Sequence, residues 1–281
     1  MKWFSQIDIT NYCHINNCVY CSRFERHIPE NKRYYMPIEQ IEQAIKACAS
    51  WLNPVGIIGG EPQLHPNFTE ICKLLLKYNP RSKYGLWTSI NPKTSKYKNC
   101  IEDTFGFIAF NEHNNNQLET CKHQPLTLSS IDMIENNELR KEFQEQCYFR
   151  LKWCGTINPN GAFHCEIAGA IAYLFNIKGW DIKDRWWEND WHTQQPICDL
   201  CGGCVPQERQ LICNKKQKIS LSFLEGLIGH DCELGDYELI QEPYTIEYLK
   251  SHCVEKPGAY RGDRGEVEEN TININWNKYE N

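Results

Sequence analysis

Cys13, Cys18 and Cys21 share one loop directly after a short apolar stretch, Phe4 to Thr10, and Gly59-Gly60-Glu61-Pro62 follows a second apolar stretch, Val55 to Ile58. Thiolates are soft ligands that select iron-sulfur clusters or zinc. Three of them on one loop suffice to hold three corners of a four-iron cluster and leave the fourth iron open to a substrate or cofactor. In parallel α/β sheets, ligands bind at the carboxyl ends of the strands. Both motifs come immediately after strands, so the chain has to fold in a way that turns them toward one mouth.

The first half supplies such a sheet. Phe4–Thr10 reads as a strand, and Ile38, Ile41, Ile45, Cys48 and Leu52 recur at helical spacing behind Pro37, a favourable helix-starting residue. Val55–Ile58 reads as the next strand, and Phe68, Ile71, Leu75 and Tyr78 line one face of the next helix. Four further strands are expected at Tyr84–Thr88, Phe105–Phe110, Pro125–Leu128 and Tyr148–Trp153, with Ile131, Ile134, Leu139 and Phe143 marking a helix before the last. Alternating strands and helices imply a parallel sheet, whose strands are buried on both faces and read as continuous apolar runs. The expectation is an α/β fold, a partial (β/α)6 TIM-like barrel over residues 1–153. A small, irregular, cysteine-rich region and C-terminal tail then occupy 154–281, where the periodicity fades.

Composition narrows the function. The net charge is −6 and the lysines are dispersed (Lys93, Lys96 and Lys98; Lys215, Lys216 and Lys218), which excludes a basic nucleic-acid footprint. No apolar signal segment opens the chain, and Ile167 to Phe175, the longest run of small and apolar residues, is too short to span a bilayer. A soluble cytoplasmic protein is expected. Sixteen cysteines in CxxC-like groups, without a signal segment, argue for metal rather than for a secreted disulfide scaffold. Cys48 and Cys72 sit in apolar helix patterns and are expected to pack as small hydrophobes.

Thr10 to Cys21 together with Gly59-Gly60-Glu61-Pro62 resembles the radical S-adenosylmethionine (radical SAM) superfamily, over roughly residues 4 to 153. The resemblance implies that Cys13, Cys18 and Cys21 ligate a 4Fe-4S cluster whose open iron is chelated by S-adenosyl-L-methionine, with reductive cleavage to a 5′-deoxyadenosyl radical. It further implies that Gly59 helps bind the cofactor, that Gly60 and Glu61 meet the methionine amino group, that Tyr20 lies near the adenine, and that Ser89 and Asn91 reach the ribose or carboxylate. A flavodoxin- or ferredoxin-type electron donor is implied as well. Four residues separate Cys13 from Cys18, where the family usually has three, which puts a bulge at His14–Asn17 and makes His14 a competing ligand. A structural zinc knuckle is the competing reading of this loop.

A second group follows. Cys154 and Cys165 flank a hairpin-type turn, Asn158-Pro159-Asn160-Gly161, and Cys198, Cys201 and Cys204 form a CxxCxxC array. This arrangement resembles the twitch or reduced SPASM regions of the same superfamily and implies one auxiliary 4Fe-4S cluster held by four of these five thiols. Zinc fits the same ligands. Cys213, Cys232 and Cys253 remain available. Trp180, Trp186, Trp187 and Trp191 are expected to pack in a small irregular core, and His65 and His164 to be ordinary polar positions.

The chemistry implied is hydrogen abstraction from a substrate carbon. An auxiliary cluster accepting an electron would make the enzyme an oxidoreductase, whereas a thiol such as Cys121 or Cys232 returning a hydrogen atom would make it an epimerase. The chain starts at its first strand and its auxiliary region is compact, which favours a small-molecule substrate over a ribosomally made peptide. A non-catalytic iron-sulfur or zinc scaffold or electron carrier is the alternative of another class, and it leaves Glu61 unexplained.

Overall fold

The computed structural model describes residues 2–15, 18–111, 122–211, 216–253 and 272–279. Three β–α repeats and a closing strand occupy the first part: β1 (Phe4–Thr10), α1 (Ile38–Ala47), β2 (Val55–Gly59), α2 (Phe68–Tyr78), β3 (Tyr84–Thr88), α3 (Lys98–Thr104) and β4 (Phe107–Phe110). Then come β5 (Lys122–His123), α4 (Ser130–Met133), α5 (Asn137–Glu145), β6 (Cys154–Asn158), β7 (Gly161–Phe163), α6 (Glu166–Leu174) and α7 (Gln195–Asp199). The short pieces β8 (Gln210–Leu211), β9 (Gln217–Ser220), α8 (Leu221–Gly229), β10 (Tyr237–Ile240) and α9 (Ile246–His252) complete the order.

The main sheet runs β4-β3-β2-β1-β6-β7, parallel throughout except for β7. The α/β class and the parallel-dominated, partial-barrel-type sheet are as the sequence predicts. Ile7 and Ile9 of β1, Val55 and Ile57 of β2, Leu86 of β3 and Ile157 of β6 all face α1 and α2, whose Ile41, Ile45, Phe68, Ile71 and Leu75 complete a dry layer. Each such buried aliphatic contributes about 2 kcal/mol. Cys48 and Cys72 lie inside that layer as small apolar groups, as expected. Trp186 closes its far edge over Gly155, so this tryptophan packs as the sequence suggests.

Two expected strands are not strands. Pro125–Leu128 turns on itself, Leu128 N–H donating to Pro125 O. Its remaining backbone is committed elsewhere: Gly202 donates to Leu126 O and Ser220 to Thr127 O. Tyr148–Trp153 is mostly a π-helical turn, Phe149–Trp153, and the strand expected there begins one residue later, at Cys154. β6 pairs with β1 in register (Phe4 opposite Cys154), so the sheet continues through the expected boundary at 153/154. The single helix expected around Ile131–Phe143 is two, α4 and α5, broken at Ile134. The second region is also more regular than its composition suggests: Ile167–Phe175 falls largely in α6, which with α8 buries Phe175, Phe223 and Leu227. Cys121, Cys213 and the glycine- and glutamate-bearing tail at 258–269 lie outside the described residues.

Candidate functional site

The cysteine loop is tied down at both ends. At its start, Thr10 Oγ1 donates to Tyr34 O (2.8 Å), Asn11 Oδ1 accepts from Tyr34 N–H (2.7 Å), and Arg33 donates to Asn11 O (2.7 Å). At its end Cys21 N–H returns to Cys18 O, Phe24 N–H returns to Cys21 O, and Phe24 takes a left-handed conformation (φ 55°) to close the turn. Cys13, Cys18 and Cys21 are all partly accessible and His14 is exposed. Burial, then Glu25 and Cys18, push the Cys21 thiol up, so Cys18 and Cys21 sense one another. Among the described residues no three His, Cys, Asp or Glu side chains converge on a single metal ion.

The Gly59-Gly60-Glu61 turn is hydrogen-bonded directly beneath that loop. Gly60 N–H donates to Thr10 O (2.8 Å) and Glu61 N–H to Tyr12 O (2.7 Å), the latter one residue before Cys13. Gly59 has φ 152°, and a Cβ there would overlap the Thr10 carbonyl; a Cβ at Gly60 would overlap that of Tyr12. Only glycine allows this approach. The two separated motifs are therefore one structural unit.

Glu61 is fully buried and its carboxylate is saturated. Oε1 accepts from Gln63 N–H (3.1 Å) and Thr88 Oγ1 (2.7 Å), and Oε2 from Ser89 N–H (2.7 Å), Ser89 Oγ (2.9 Å) and Ile90 N–H (3.2 Å). Five donors hold the ends of β2 and β3 together through one side chain, so what Glu61 and Ser89 do here is shape the mouth. Asn91 is exposed and caps its own turn through Lys93 N–H. Tyr20 is buried, its hydroxyl accepting from Lys218 N–H of β9 (3.1 Å) and its carbonyl meeting His123 Nδ1 (2.9 Å). That ring anchors the loop to the second region.

Arg23, two residues past Cys21, carries the connection inward. Its guanidinium donates to Gln6 Oε1 (2.6 Å) and pairs with Glu166 (3.0 Å) and Asp8 (3.4 Å), all four side chains being buried. Burial outweighs the guanidinium at Asp8 and raises its carboxyl to about 6. Glu166 is the neighbour of Cys165, so this network joins the first cysteine loop to the second cysteine group.

That second group surrounds a cavity with ≈ 340 Å³ of atom-free space, its mouth included. Cys147, Cys165, Cys198, Cys201 and Cys204 line it, with Phe149, Ile167 and Ile197 as apolar wall and His164 and Arg150 beside them. Burial raises every one of these thiols, Cys165 to about 12, and neighbouring cysteines push Cys147's companions further. His164 is held down at about 3 by the same burial. A nest of thiols that discourage one another's ionisation in an apolar wall suits a cation that takes them as thiolates. The CxxCxxC array is positioned by the irregular 124–130 segment: Gly202 N–H donates to Leu126 O, Ser130 N–H to Cys201 O, and Ser130 Oγ to Cys198 O.

Four of the five thiols expected from the sequence thus line one cavity, without three of them standing close enough to share a single metal ion. Cys154 is not among the lining residues; it opens β6 and is buried with Tyr148 and Trp153. Cys147 takes its place, carried to the cavity by the turn between α5 and the π-helical segment. The sequence signal for it is a cysteine ahead of Cys165 on the other side of the β6–β7 hairpin, which spacing from CxxC pairs alone does not pick out. Cys232 packs near α6, its thiol donating to Leu174 O, and Cys253 ends α9; neither lines the cavity. His65 is an ordinary polar position as expected, one ring nitrogen meeting Met36 O and the other Asn67 N–H.

No helix among the described residues is long and apolar enough to cross a membrane. No curated protein sequence matches the chain. Two solved structures of BtrN are similar to it in fold, one in complex with AdoMet and 2-DOIA (12% identity, TM-score 0.43) and one of the selenomethionine protein in an open conformation (13%, TM-score 0.42). Each likeness covers 76% of this chain and 92% of the other. The family model described as the Radical SAM superfamily matches residues 7–103, the stretch that holds both the cysteine loop and the Gly59-Gly60-Glu61 turn. Residues 7–103 are therefore what this chain has in similarity to the radical SAM superfamily.

Proposed function

We propose that the chain is a radical SAM enzyme acting on a small polar molecule, with Cys13, Cys18 and Cys21 holding a 4Fe-4S cluster and the second cysteine cavity holding an auxiliary cluster. The observation that supports this most is the pair of hydrogen bonds from Gly60 and Glu61 to the carbonyls of Thr10 and Tyr12, which fuses the glycine turn to the thiol loop. A scaffold that merely bound iron or zinc has no need of that joint.

The residues present suit both groups. A three-thiol loop leaves one iron of a cluster for S-adenosylmethionine, and the side-chain-free edge at Gly59 and Gly60 gives a bulky cofactor close access to backbone. When bound, cluster and S-adenosylmethionine supply a radical that removes a hydrogen atom from a substrate carbon. The chain's own part is positional: Glu61 fixes the rim through Ser89 and Ile90, and Tyr20 and Arg23 hold the loop against the second region. The ligands of the auxiliary cluster would be drawn from the cavity lining, among Cys147, Cys165, Cys198, Cys201 and Cys204, with Glu166 beside Cys165 tying that wall to Arg23.

The small-molecule reading rests on the compact second cysteine region, where α6 is held to β6 by the bond from Asn158 Nδ2 to Gly169 O (2.7 Å). A cytoplasmic location suited to reduced thiols and a flavodoxin- or ferredoxin-type donor belong to the same proposal. Its test is anaerobic reconstitution with iron and sulfide, addition of dithionite and S-adenosylmethionine, and quantification of 5′-deoxyadenosine. Wild type yields it and Cys18→Ala does not; equal yields from both sink the assignment. A peptide maturase would be revealed by abstraction from a peptide with none from small polyols or amines.

A further inference from the structure

His164 differs from the other deeply buried histidines in what its ring leaves over. His27 spends both nitrogens, Nδ1 on Glu233 O (2.6 Å) and Nε2 on Gln217 Oε1 (2.8 Å), and His65 spends both on Met36 and Asn67. At His164 the tautomer is fixed by Gln194. The Gln194 amide nitrogen donates to Ala162 O (3.0 Å), which orients the amide, and its Oε1 then accepts from both the His164 backbone N–H and Nδ1 (3.0 Å each). Nδ1 carries the proton, and a neutral imidazole has only one. Nε2 is left to accept, and what it meets on the wall of the cysteine cavity is a thiol, Cys198 Sγ at 3.4 Å, rather than a backbone or amide group.

We propose that His164 Nε2 is a ligand of the metal centre in this cavity, beside Cys198, so that the centre has mixed cysteine and histidine ligation. In the metal-free chain the Cys198 thiol donates to Nε2. Metal binding takes that proton away, and sulfur and nitrogen then face one another with lone pairs and nothing between them. A metal bound by both removes the conflict. Where one metal takes two protein ligands, as in a mononuclear centre or on one iron of a two-iron cluster rather than a four-iron one, sulfur at about 2.3 Å and nitrogen at about 2.1 Å lie roughly 3.5 Å apart, close to the spacing already present. The Nδ1–H···Gln194 bond is the outer partner that orients a metal-ligating histidine.

This inference rests on the cavity being a metal centre, and one experiment separates the two. The protein carrying Cys13→Ala, Cys18→Ala and Cys21→Ala is grown with heavy-nitrogen histidine or with ordinary histidine and reconstituted with iron and sulfide. Its iron is counted, and after dithionite reduction it is examined by electron spin-echo envelope modulation. The expected result is retained iron with a strong nitrogen coupling that changes with the isotope and is lost in His164→Cys, which still binds iron. Retained iron with no isotope-sensitive coupling overturns the histidine ligand while leaving the metal centre. No retained iron overturns the metal centre and the ligand with it. The isotope comparison uses the unaltered His164 site, so it stands even where the cysteine variant folds poorly.

Discussion

The two cysteine sites are built in opposite ways. The first is one continuous loop, Cys13 to Cys21, pressed on a glycine turn by backbone hydrogen bonds, with His14 exposed and its three thiols partly accessible. The second is assembled from three separate segments around Cys147, Cys165 and the 198–204 array, its thiols half to fully buried in an apolar cavity. A site made of backbone approach tolerates little change in its glycines but exposes its thiols to a cofactor. A site made of packed side chains would shield any metal it held and, on the proposed function, leave it to exchange electrons instead of binding large ligands.

The largest effect expected from this contrast is a clean separation of losses. Cys18→Ala abolishes S-adenosylmethionine cleavage and keeps the absorbance of the second centre; Cys147→Ala removes the second centre's iron and keeps cleavage. Iron analysis with visible spectroscopy checks both. Cys154→Ala, by the same comparison, retains both centres, and loss of iron there would restore it to the ligand set.

Next comes the rim. Glu61→Gln turns an amide group toward donors where a carboxylate accepted five, and the metal-free protein is expected to lose about 2–4 kcal/mol in denaturant unfolding. Gly60→Ala forces a methyl group into the Tyr12 carbonyl, displaces the loop, and lowers iron uptake at the first site only.

These contrasts also explain what was legible in the sequence. Loop motifs that act through their own backbone announce themselves: Cys13, Cys18, Cys21 and Gly59-Gly60-Glu61 are contiguous, and the strands before them have continuous apolar runs. Cys147 was hidden because its role depends on how a π-helical turn redirects the chain, and Cys154 drew attention only by flanking a hairpin. Pro125–Leu128 reads as a short apolar strand, yet its backbone is claimed by Gly202 and Ser220, partners about eighty residues or more away that local pattern cannot reveal. The donors that Glu61 gathers from Gln63, Thr88, Ser89 and Ile90, up to about thirty residues away, are likewise beyond what local sequence pattern reveals.

The smallest effect concerns the bridge between the sites. Asp8 titrates at about 6 in the folded chain and near 3.8 when unfolded, so the folded state binds more protons between those values and stability falls as pH rises through that window. Asp8→Asn flattens that part of the profile in urea unfolding of the metal-free protein. An unchanged slope would mean that Arg23 keeps Asp8 ionised throughout.

The most direct test places wild type, Cys18→Ala and Cys147→Ala side by side, each at known iron content, and measures 5′-deoxyadenosine formed from S-adenosylmethionine under dithionite. The account predicts product from wild type and Cys147→Ala and background from Cys18→Ala. Product from Cys18→Ala at the wild-type level would contradict it.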